Sequence, residues 1–431
     1  MKHALPALTT LACALSLGAA LAAPSTLTVW TWRAQDAPLW KQVQAKLNQE
    51  GYQVHIDFRS INPTSYDSVL ATAMDSGKGP DIFYGRAGEG TFNYAASKLI
   101  VPVNGLVSFK NFVPSSLAAV HYQGKNWGVP LDEEAMVIFY NKQIFKTYHL
   151  SPPKTWNDFL TILKTLKSHG VTPISIMPIQ TWLVALTIDE ISATMLGNQG
   201  AKSLVARKMT YNSKPYIDVL KKLVSLEPYF EPNYMAVGSA GNEQEIAIAT
   251  GQAAMVFDGI YDLGTMEQFG AKQSNLGIFA VPPMRAGQPS RVDWYPDATL
   301  VENAKIANPA ARAAANAALK FATTKQFGSD FAGIAGEISP IKGVTIPAKY
   351  VIAREAYALY QKEPLNPLIG IRSPMDTPPP TGVNSSSQKV NTDVGIFTAE
   401  TNEVQPLLSG KITPAQAAAA IQKAVSWYFA K

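Results

Sequence analysis

The strongest constraint on this chain is the alternation of short strand-like runs with amphipathic helical segments. The strand-like runs are residues 27–32, 54–58 and 82–84. Between the first two runs, apolar side chains recur every four residues at Leu39, Val43 and Leu47, which is the spacing of one helix face. Strands joined through helices usually pair in parallel, because the helical connection returns the chain to the same end of the sheet. The pattern therefore predicts an α/β fold with mainly parallel sheets.

Three later segments carry helix start signals. Thr155 and Asp158 form a capping box, and Gly170 follows as a stop. Two alanine-rich segments begin with proline directly after Asn308 and after Thr413. Proline is favoured at the first helical position, because its missing N–H would have no intrahelical partner there. We expect helices to start at these three points.

The N-terminus has the layout of a secretory signal peptide. A basic start at Lys2 precedes an apolar run over residues 11–22, and small residues stand at Ala20 and Ala22. We expect cleavage after Ala22, so that residues 1–22 are removed. An uncleaved anchor helix is one alternative, although the run is shorter than the ~20 apolar residues that a bilayer span needs. A lipoprotein with Cys13 at its new N-terminus is the other alternative.

The mature chain has few of the residues that metal or thiol chemistry requires. Cys13 is the only cysteine, so its removal excludes a disulfide framework and a thiolate ligand. The five histidines show no metal-ligand spacing. We therefore predict no cofactor and no metal at the site, and the sequence leaves open whether a structural metal ion sits on one lobe.

Size and charge narrow the class further. About 408 mature residues exceed what one hydrophobic core usually supports, so two lobes are expected. Loss of Lys2 leaves 36 basic against 32 acidic residues, without long blocks of one sign. This balance argues against nucleic acid as the main partner. No later segment has 18 uninterrupted apolar residues, so no membrane span is predicted after the leader.

Four motifs join strand-like runs to polar turns. They are TLTVWTW at residues 26–32, GPDIFYGRAGEG at residues 79–90, GVPLDEEAMVIFYNKQIF at residues 128–145 and GQAAMVFDGIYDLG at residues 251–264. In the second motif, glycines let the chain leave the strand in tight turns that present Tyr84, Arg86 and Glu89 together. We expect such strand ends to line a cleft, because ligands bind at the carboxyl ends of parallel strands.

These motifs resemble the extracellular sugar-binding proteins of bacterial ABC importers, the maltose-binding-protein-like family. The resemblance runs from about residue 27 to residue 429 and is weakest between residues 349 and 404. It implies a two-lobe periplasmic-binding-protein fold, in which each lobe is a mainly parallel sheet flanked by helices. It also implies a hinge of three crossovers, near residues 132–135, 297–301 and 336–341. The lobes would then comprise residues 23–132 plus 299–336 and residues 133–298 plus 337–431.

A sugar site requires carboxylates and amides for hydroxyl groups and aromatic rings for stacking. The resemblance and the strand ends together place such residue types at the lobe edges. The candidate ligand-binding residues are Trp32, Arg33, Asp36, Tyr84, Arg86, Glu89, Asp132, Glu133, Trp182, Asp258, Tyr261, Trp294, Tyr295, Asp297 and Glu337.

Plainer explanations compete with several of these assignments. Trp32 and Trp182 could be core residues, and the acids at residues 132–134 could be a solvated charge run. Trp294, Tyr295 and Asp297 stand where many relatives have glycines, which weakens the comparison there. For Asp81 we expect a structural role, capping backbone. The proline-rich segment 363–387 is either a linker or, as we expect, an excursion that packs on the body and reaches the cleft.

The resemblance implies a receptor that captures a saccharide and delivers it to membrane permease subunits with their ATPase. The protein would act as a monomer in the periplasm or cell envelope and would catalyse no reaction. A metal chelate, a polyamine or a peptide is an alternative cargo. A secreted glycosidase is a further alternative, since the sequence permits a catalytic pair of acids among Asp36, Glu133 and Asp258. An inert structural protein would leave the polar and aromatic strand ends unexplained.

Overall fold

The computed structural model describes residues 25–284, 286–378 and 393–430. The predicted signal peptide at residues 1–22 lies outside this part of the chain, as does the end of the predicted excursion. Among the helices in the described residues, none combines the length and the apolar character of a membrane-spanning segment.

Strands alternate with helices through residues 25–96, and the described chain after β12 contains helices and no further strand. The strands are β1 Ser25–Thr31, β2 Val54–Ser60, β3 Ile82–Arg86, β4 His121–Tyr122, β5 Lys125–Asn126, β6 Val129–Pro130, β7 Glu134–Asn141, β8 Thr172–Ser175, β9 Ala253–Gly259, β10 Leu276–Phe279, β11 Asp293–Tyr295 and β12 Ala298–Glu302. The helices are α1 Ala37–Gln49, α2 Pro63–Asp75, α3 Glu89–Ala96, α4 Pro114–Ala118, α5 Lys142–Thr147, α6 Trp156–Ser168, α7 Thr181–Val205, α8 Lys214–Val224, α9 Glu243–Thr250, α10 Leu263–Gln268, α11 Pro309–Ala322, α12 Lys325–Ala335, α13 Val351–Lys362, α14 Ile396–Leu408, α15 Pro414–Ala424 and α16 Ser426–Phe429.

The first sheet has the strand order β2-β1-β3-β12-β6. The first three strands pair in parallel, as the strand and helix alternation predicts. Strand β12 is antiparallel to both β3 and β6, with Leu300 opposite Tyr84 and Val129. Helices α1, α11 and α12 pack on one face of this sheet, and α2 and α3 pack on the other. Asp81 has the predicted structural role, since its Oδ2 accepts hydrogen bonds from the backbone and hydroxyl of Thr28.

The second sheet has the order β10-β7-β9-β8, with β11 also paired to β7. Only β8 and β9 run parallel in it, so the prediction of a mainly parallel sheet is wrong for this lobe. The reason is connectivity. Strand β7 leaves the junction between the sheets and β11 returns to it, so these two neighbours must run in opposite directions.

Within the described residues, the chain passes between the two sheets at three places. The first lies between β6 and β7, at residues 131–133, and overlaps the predicted residues 132–135. The second lies between β11 and β12, at residues 296–297, and is earlier than predicted because residues 298–301 already form part of β12. The third lies at residues 338–341. Ile338 forms a β-bridge to Glu133 in the first crossover, and Ile341 forms a β-bridge to Phe112 in the first lobe.

The predicted helix signals are confirmed. The Thr155–Asp158 capping box is at the start of α6. The helix ends at Ser168, and Gly170, two residues later, has a left-handed backbone (φ +74°). The Asn308 side chain accepts hydrogen bonds from two backbone N–H groups at the start of α11. Thr413 forms a second capping box at the start of α15. These helices cover the two sheets and leave the strand ends at the junction to build the site.

Candidate functional site

At the end of β1, the Trp32 ring lies beside the Arg86 guanidinium at the end of β3. The Arg86 Cζ lies 3.7 Å from the ring centroid. Tyr66 and Tyr84 contact Trp32 edge-on, at centroid distances of 5.1 and 5.9 Å. These contacts fix the orientation of the half-buried Trp32 ring, and the Arg86 guanidinium covers one of its faces. The carboxyl ends of two parallel strands meet here, as the sequence predicts.

Next to Trp32, Arg33 turns inward and becomes the centre of an ion-pair group. Its guanidinium pairs with Asp36 at 3.0 Å, Asp132 at 3.3 Å and Glu134 at 3.2 Å, and also with Glu337. All five side chains are at most 2% exposed. We call Arg33, Asp36, Asp132, Glu134 and Glu337 the hinge cluster, because its acids come from the first and third crossovers as well as from the start of α1.

The hinge cluster also reaches the second crossover. Asp132 Oδ1 accepts hydrogen bonds from the backbone N–H groups of Asp297 and Ala298, at 3.2 and 2.8 Å. Burial raises the pKa of Asp132 to about 7, although Arg33 opposes that shift. Burial lowers the pKa of Arg33, but its four carboxylates, Asp36 first, raise it well above its ordinary value. The cluster thus joins all three crossovers through one charged network.

Two neighbours of the hinge cluster, both predicted to contact ligand, are core residues here. The Tyr84 hydroxyl donates to Asp36 Oδ2 and accepts from Trp40 Nε1, each at 2.9 Å. Glu133 is 2% exposed, and burial raises its pKa to about 8. Its backbone N–H donates to the Ile338 carbonyl in the third crossover. Neither side chain reaches solvent in this arrangement.

Asp297 lies between two arginines. Arg86 Nη1 is 3.0 Å from its Oδ2, and Arg372 Nη2 is 2.7 Å from its Oδ1. Burial alone would raise the pKa of Asp297, but Arg86 and Arg372 together hold it below its ordinary value. Arg372 belongs to the proline-rich excursion, which therefore reaches this junction as predicted. The sequence did not single out Arg372, whose left-handed backbone (φ +62°) has no clear local signal.

Glu89 begins α3 beside the same excursion. Burial raises its pKa to about 7, the nearby Asp376 adds to this, and Arg372 opposes it. At Gly88, an added Cβ would lie 3.3 Å from the Thr377 hydroxyl, so the excursion packs closely on the turn before α3. Elements of the first sheet and the C-terminal part of the chain meet at this point.

Across the junction, aromatic side chains line the second sheet. Trp182, at the start of α7, lies 6.3 Å from Tyr261, centroid to centroid. Trp182 is half-buried and its Nε1 donates to Gln180 Oε1 at 2.9 Å. Both rings pack in one apolar cluster with Met136 and Tyr295. We call Trp182, Tyr261 and Tyr295 the aromatic wall.

The structure separates Trp294 from Tyr295, which the sequence placed together in the site. Neighbouring residues of a strand point to opposite faces, and these two are consecutive in β11. Trp294 is 3% exposed and stacks on Tyr360 at 4.2 Å, on the far face of the second sheet. The strand alternation in the sequence could have indicated this difference.

Asp258 lies in a second group of acids, at the end of β9. Its Oδ1 accepts from the Gly259 N–H at 2.7 Å, and its Oδ2 accepts from Gln244 Nε2 at 3.3 Å. Asp258 is fully buried, and carboxylate oxygens of Glu245 and Asp262 lie within 4.8 Å of it and of each other. Asp132, Glu134 and Glu337 are equally close together, but Arg33 already occupies their centre.

Comparisons with known proteins agree with this architecture. A family model described as bacterial extracellular solute-binding protein matches residues 31–327. An uncharacterized ABC transporter extracellular-binding protein of Pyrococcus horikoshii is 28% identical over 280 residues, covering 64% of this chain and 61% of that protein. A multiple sugar-binding protein of Streptococcus mutans is 22% identical over 263 residues, covering 59% of this chain and 61% of that one. The chain thus spans less than two thirds of the length of these curated relatives.

Among solved structures, a chitin oligosaccharide binding protein superposes with a TM-score of 0.77. The match covers 95% of this chain and 100% of that chain, at 22% sequence identity. At this level of identity, the similarity shows the two-lobe fold and does not identify the bound molecule.

Proposed function

Because this chain belongs to the bacterial extracellular solute-binding protein family, we propose that it captures a saccharide between its lobes and delivers it to an ABC importer. The observation that carries the proposal is the placement of aromatic rings on both sides of the junction. Trp32 lies at the end of β1, and Trp182 and Tyr261 stand on the second sheet. Sugar rings present apolar faces that stack on such side chains, while hydroxyl groups need polar partners at the edge.

We assign the polar contacts to the side chains that line this junction and retain some exposure. Arg86 is 26% exposed and Asp297 is 14% exposed, whereas the acids of the hinge cluster are almost fully enclosed. Glu89, also partly exposed, stands in the same region. In this proposal the hinge cluster, with Glu133, holds the crossovers together, and the ligand contacts come from Trp32, Arg86, Glu89, Asp297, Trp182 and Tyr261. Tyr295, the third residue of the aromatic wall, is 2% exposed and packs in the same apolar cluster as the other two without reaching the ligand.

The proposed mechanism is closure about the three crossovers. We assign residues 23–132 plus 298–336 to the first lobe, because Ala298 is already part of β12, and residues 133–297 plus 337–431 to the second. A ligand that contacts both lobes favours the closed form by its difference in affinity for the two states. The closed form then docks on the permease subunits and their ATPase. We propose that the protein acts as an exported monomer in the periplasm or envelope and performs no covalent chemistry.

Binding without turnover is the direct test. Purified protein titrated calorimetrically with mono-, di- and trisaccharides should bind at least one with a Kd of about 1 μM, or about 8 kcal/mol. Chromatography after overnight incubation should recover that sugar unchanged. Steady hydrolysis would favour the glycosidase alternative, and binding of a polyamine or peptide in place of every sugar would exclude the saccharide.

Replacement of Trp182 by alanine tests the site itself. We expect the saccharide to bind more weakly, because the ring no longer stacks on it. The loss should be about 0.5 to 1.5 kcal/mol more than the reduction in buried apolar surface accounts for, with little change in melting temperature. Trp427→Ala is the matched control, because Trp427 is also half-buried and donates its Nε1 hydrogen bond, to the Val394 carbonyl. A core role for Trp182 would instead lower stability by about 3 to 5 kcal/mol and leave affinity per folded molecule unchanged.

A further inference from the structure

The carboxylates of Glu245, Asp258 and Asp262 converge at one end of the second sheet. Glu245 is in the first turn of α9, Asp258 is the last residue but one of β9, and Asp262 is the last residue of the 3-10 turn Ile260–Asp262 that precedes α10. One oxygen from each lies within 4.8 Å of the others. Opposite oxygen ligands of Ca²⁺, each about 2.4 Å from the ion, are about 4.8 Å apart. A single cation therefore fits this spacing.

A separate observation indicates a missing partner. Glu245 is 2% exposed, and its Oε2 is buried without a hydrogen-bond partner. An enclosed carboxylate oxygen without a proton donor or a cation is costly, because it has lost water and gained nothing in return. The oxygen therefore requires a cation or a proton, and no lysine or arginine of the described residues forms an ion pair with it. Burial raises the pKa of Glu245 to about 8, so a proton shared with Asp258 takes this place when no cation is bound.

Neighbouring groups already orient two of the three acids. The Asp258 oxygens accept from the Gly259 N–H and from Gln244 Nε2, and Asp262 Oδ1 accepts from the Thr265 hydroxyl at 3.3 Å. Such outer hydrogen bonds commonly fix the carboxylates of a metal site. Arg33 acts electrostatically on Asp262 but is itself paired with four other acids.

We propose that Glu245, Asp258 and Asp262 bind one Ca²⁺ ion. Ca²⁺ accepts six to eight oxygen ligands in flexible geometry, whereas Mg²⁺ is usually held by one or two carboxylates and several waters. The ion would tie α9 to the turn after β9. That turn carries Tyr261 and is tight, since a Cβ on Gly259 would lie 1.9 Å from the Tyr261 ring. Ca²⁺ thus stabilises the second lobe and fixes one ring of the aromatic wall, whatever solute the protein carries.

The test uses the full mature chain, freed of metal with a chelator and then titrated with CaCl₂. Calorimetry should give one site per chain, with a Kd on the order of 10⁻⁴ to 10⁻³ M, as in extracellular modules. At 10 mM Ca²⁺ the melting temperature should rise by about 2 to 5 °C, and excess chelator should reverse the rise. MgCl₂ at the same concentration should have a smaller effect. Absence of binding heat and of a thermal shift with Ca²⁺ in the wild type would overturn the proposal.

Variants locate the ion. Glu245→Gln and Asp262→Asn should each weaken Ca²⁺ binding at least about tenfold, because each removes a charged ligand while keeping the shape of the side chain. Glu267→Gln is the control, since Glu267 is an exposed acid of α10 outside the group. An unchanged Kd in the first two variants, or an equal loss in the control, would show that Ca²⁺ binds elsewhere. Terbium luminescence on the wild type gives an independent readout if a variant fails to fold, because Tyr261 lies beside the site.

Discussion

Two groups of buried acids in this protein are neutralised in different ways. The hinge cluster places Asp36, Asp132, Glu134 and Glu337 around Arg33. The core of the second lobe contains a core acid cluster, which consists of Asp189, Glu190, Asp293 and Glu400. Among the described residues, none of these four forms an ion pair with lysine or arginine, and each has at least one oxygen without a hydrogen-bond partner.

Protons take the place of the arginine in the core acid cluster. Burial raises the pKa of both Asp293 and Glu400 to about 8. It also raises the pKa of Asp189 and Glu190 well above the ordinary range, with repulsion from the neighbouring acids adding to the effect. The Tyr216 hydroxyl donates to Glu400. Burial also raises the pKa values of Asp132, Glu134 and Glu337, but only the hinge cluster has a fixed positive charge at its centre, whereas the core acid cluster depends on protonation alone.

The largest expected effect of a single substitution comes from removing the fixed charge. Arg33→Met leaves four enclosed acids without their cation, which should cost about 3 to 5 kcal/mol of unfolding free energy. Urea unfolding at pH 7 measures the loss. Arg354→Ala is the control, because Arg354 is exposed on α13 and its removal should change stability by about 0.5 kcal/mol or less. If Arg33→Met costs no more than the control, Arg33 is not the group that neutralises the hinge acids.

The second prediction concerns pH. The folded pKa of Glu400 is raised above its unfolded value, so the folded state retains a proton that the unfolded state releases. The stability from this group is complete below about pH 4.3 and is lost as pH rises towards about 8, by about 1.4 kcal/mol per pH unit for each such proton. Asp293 shifts in the same direction.

Melting curves between pH 5 and pH 8 should therefore show falling stability as pH rises. Glu400→Gln should flatten this slope, since the amide cannot titrate. Glu403→Gln is the control, because Glu403 lies on the same helix and is partly exposed. Burial raises the pKa of Glu403 as well, but its exposure means that this substitution should flatten the slope less than Glu400→Gln. A wild type that is equally stable at both ends of this range would show that the core acid cluster is not held by protons.

The smallest expected effect is at the hinge. Asp132→Asn keeps an amide oxygen for the N–H groups of Asp297 and Ala298 but removes one of the four charges around Arg33. Because three acids remain to pair with Arg33, we expect a loss of about 0.5 to 1.5 kcal/mol. The same urea experiment measures it. A loss equal to that of Arg33→Met would mean that the acids, and not the arginine, limit the stability of the hinge.

Much of the fold could be predicted because it depends on local patterns. The parallel strands β1, β2 and β3 and the caps of α6, α11 and α15 follow from spacing and from capping residues within a few positions. The antiparallel second sheet did not follow, because its strand directions depend on where the chain crosses between lobes. That information is spread over residues 131–341.

The sequence predicted which residues lie near the junction better than it predicted what each of them does there. Arg33 and Glu337 are separated by 304 positions, so their pairing has no local signal. Asp132 and Glu133 were correctly placed at a crossover, but a sequence does not show whether an acid meets ligand or a buried arginine. Arg372 was missed because its segment lacks any helical or strand period. Trp294 differs, since simple strand alternation would have separated it from Tyr295.

The position of β12 has a consequence for how the protein is made. This strand lies between β3 and β6 in the first sheet, yet it ends at Glu302 in a chain of 431 residues. Until those residues leave the ribosome, β3 has an unpaired edge and the first lobe cannot close its sheet. Domains usually fold as units in order of synthesis, but here the N-terminal lobe must wait for most of the chain. The first lobe is therefore completed late, although its first residues are synthesised first.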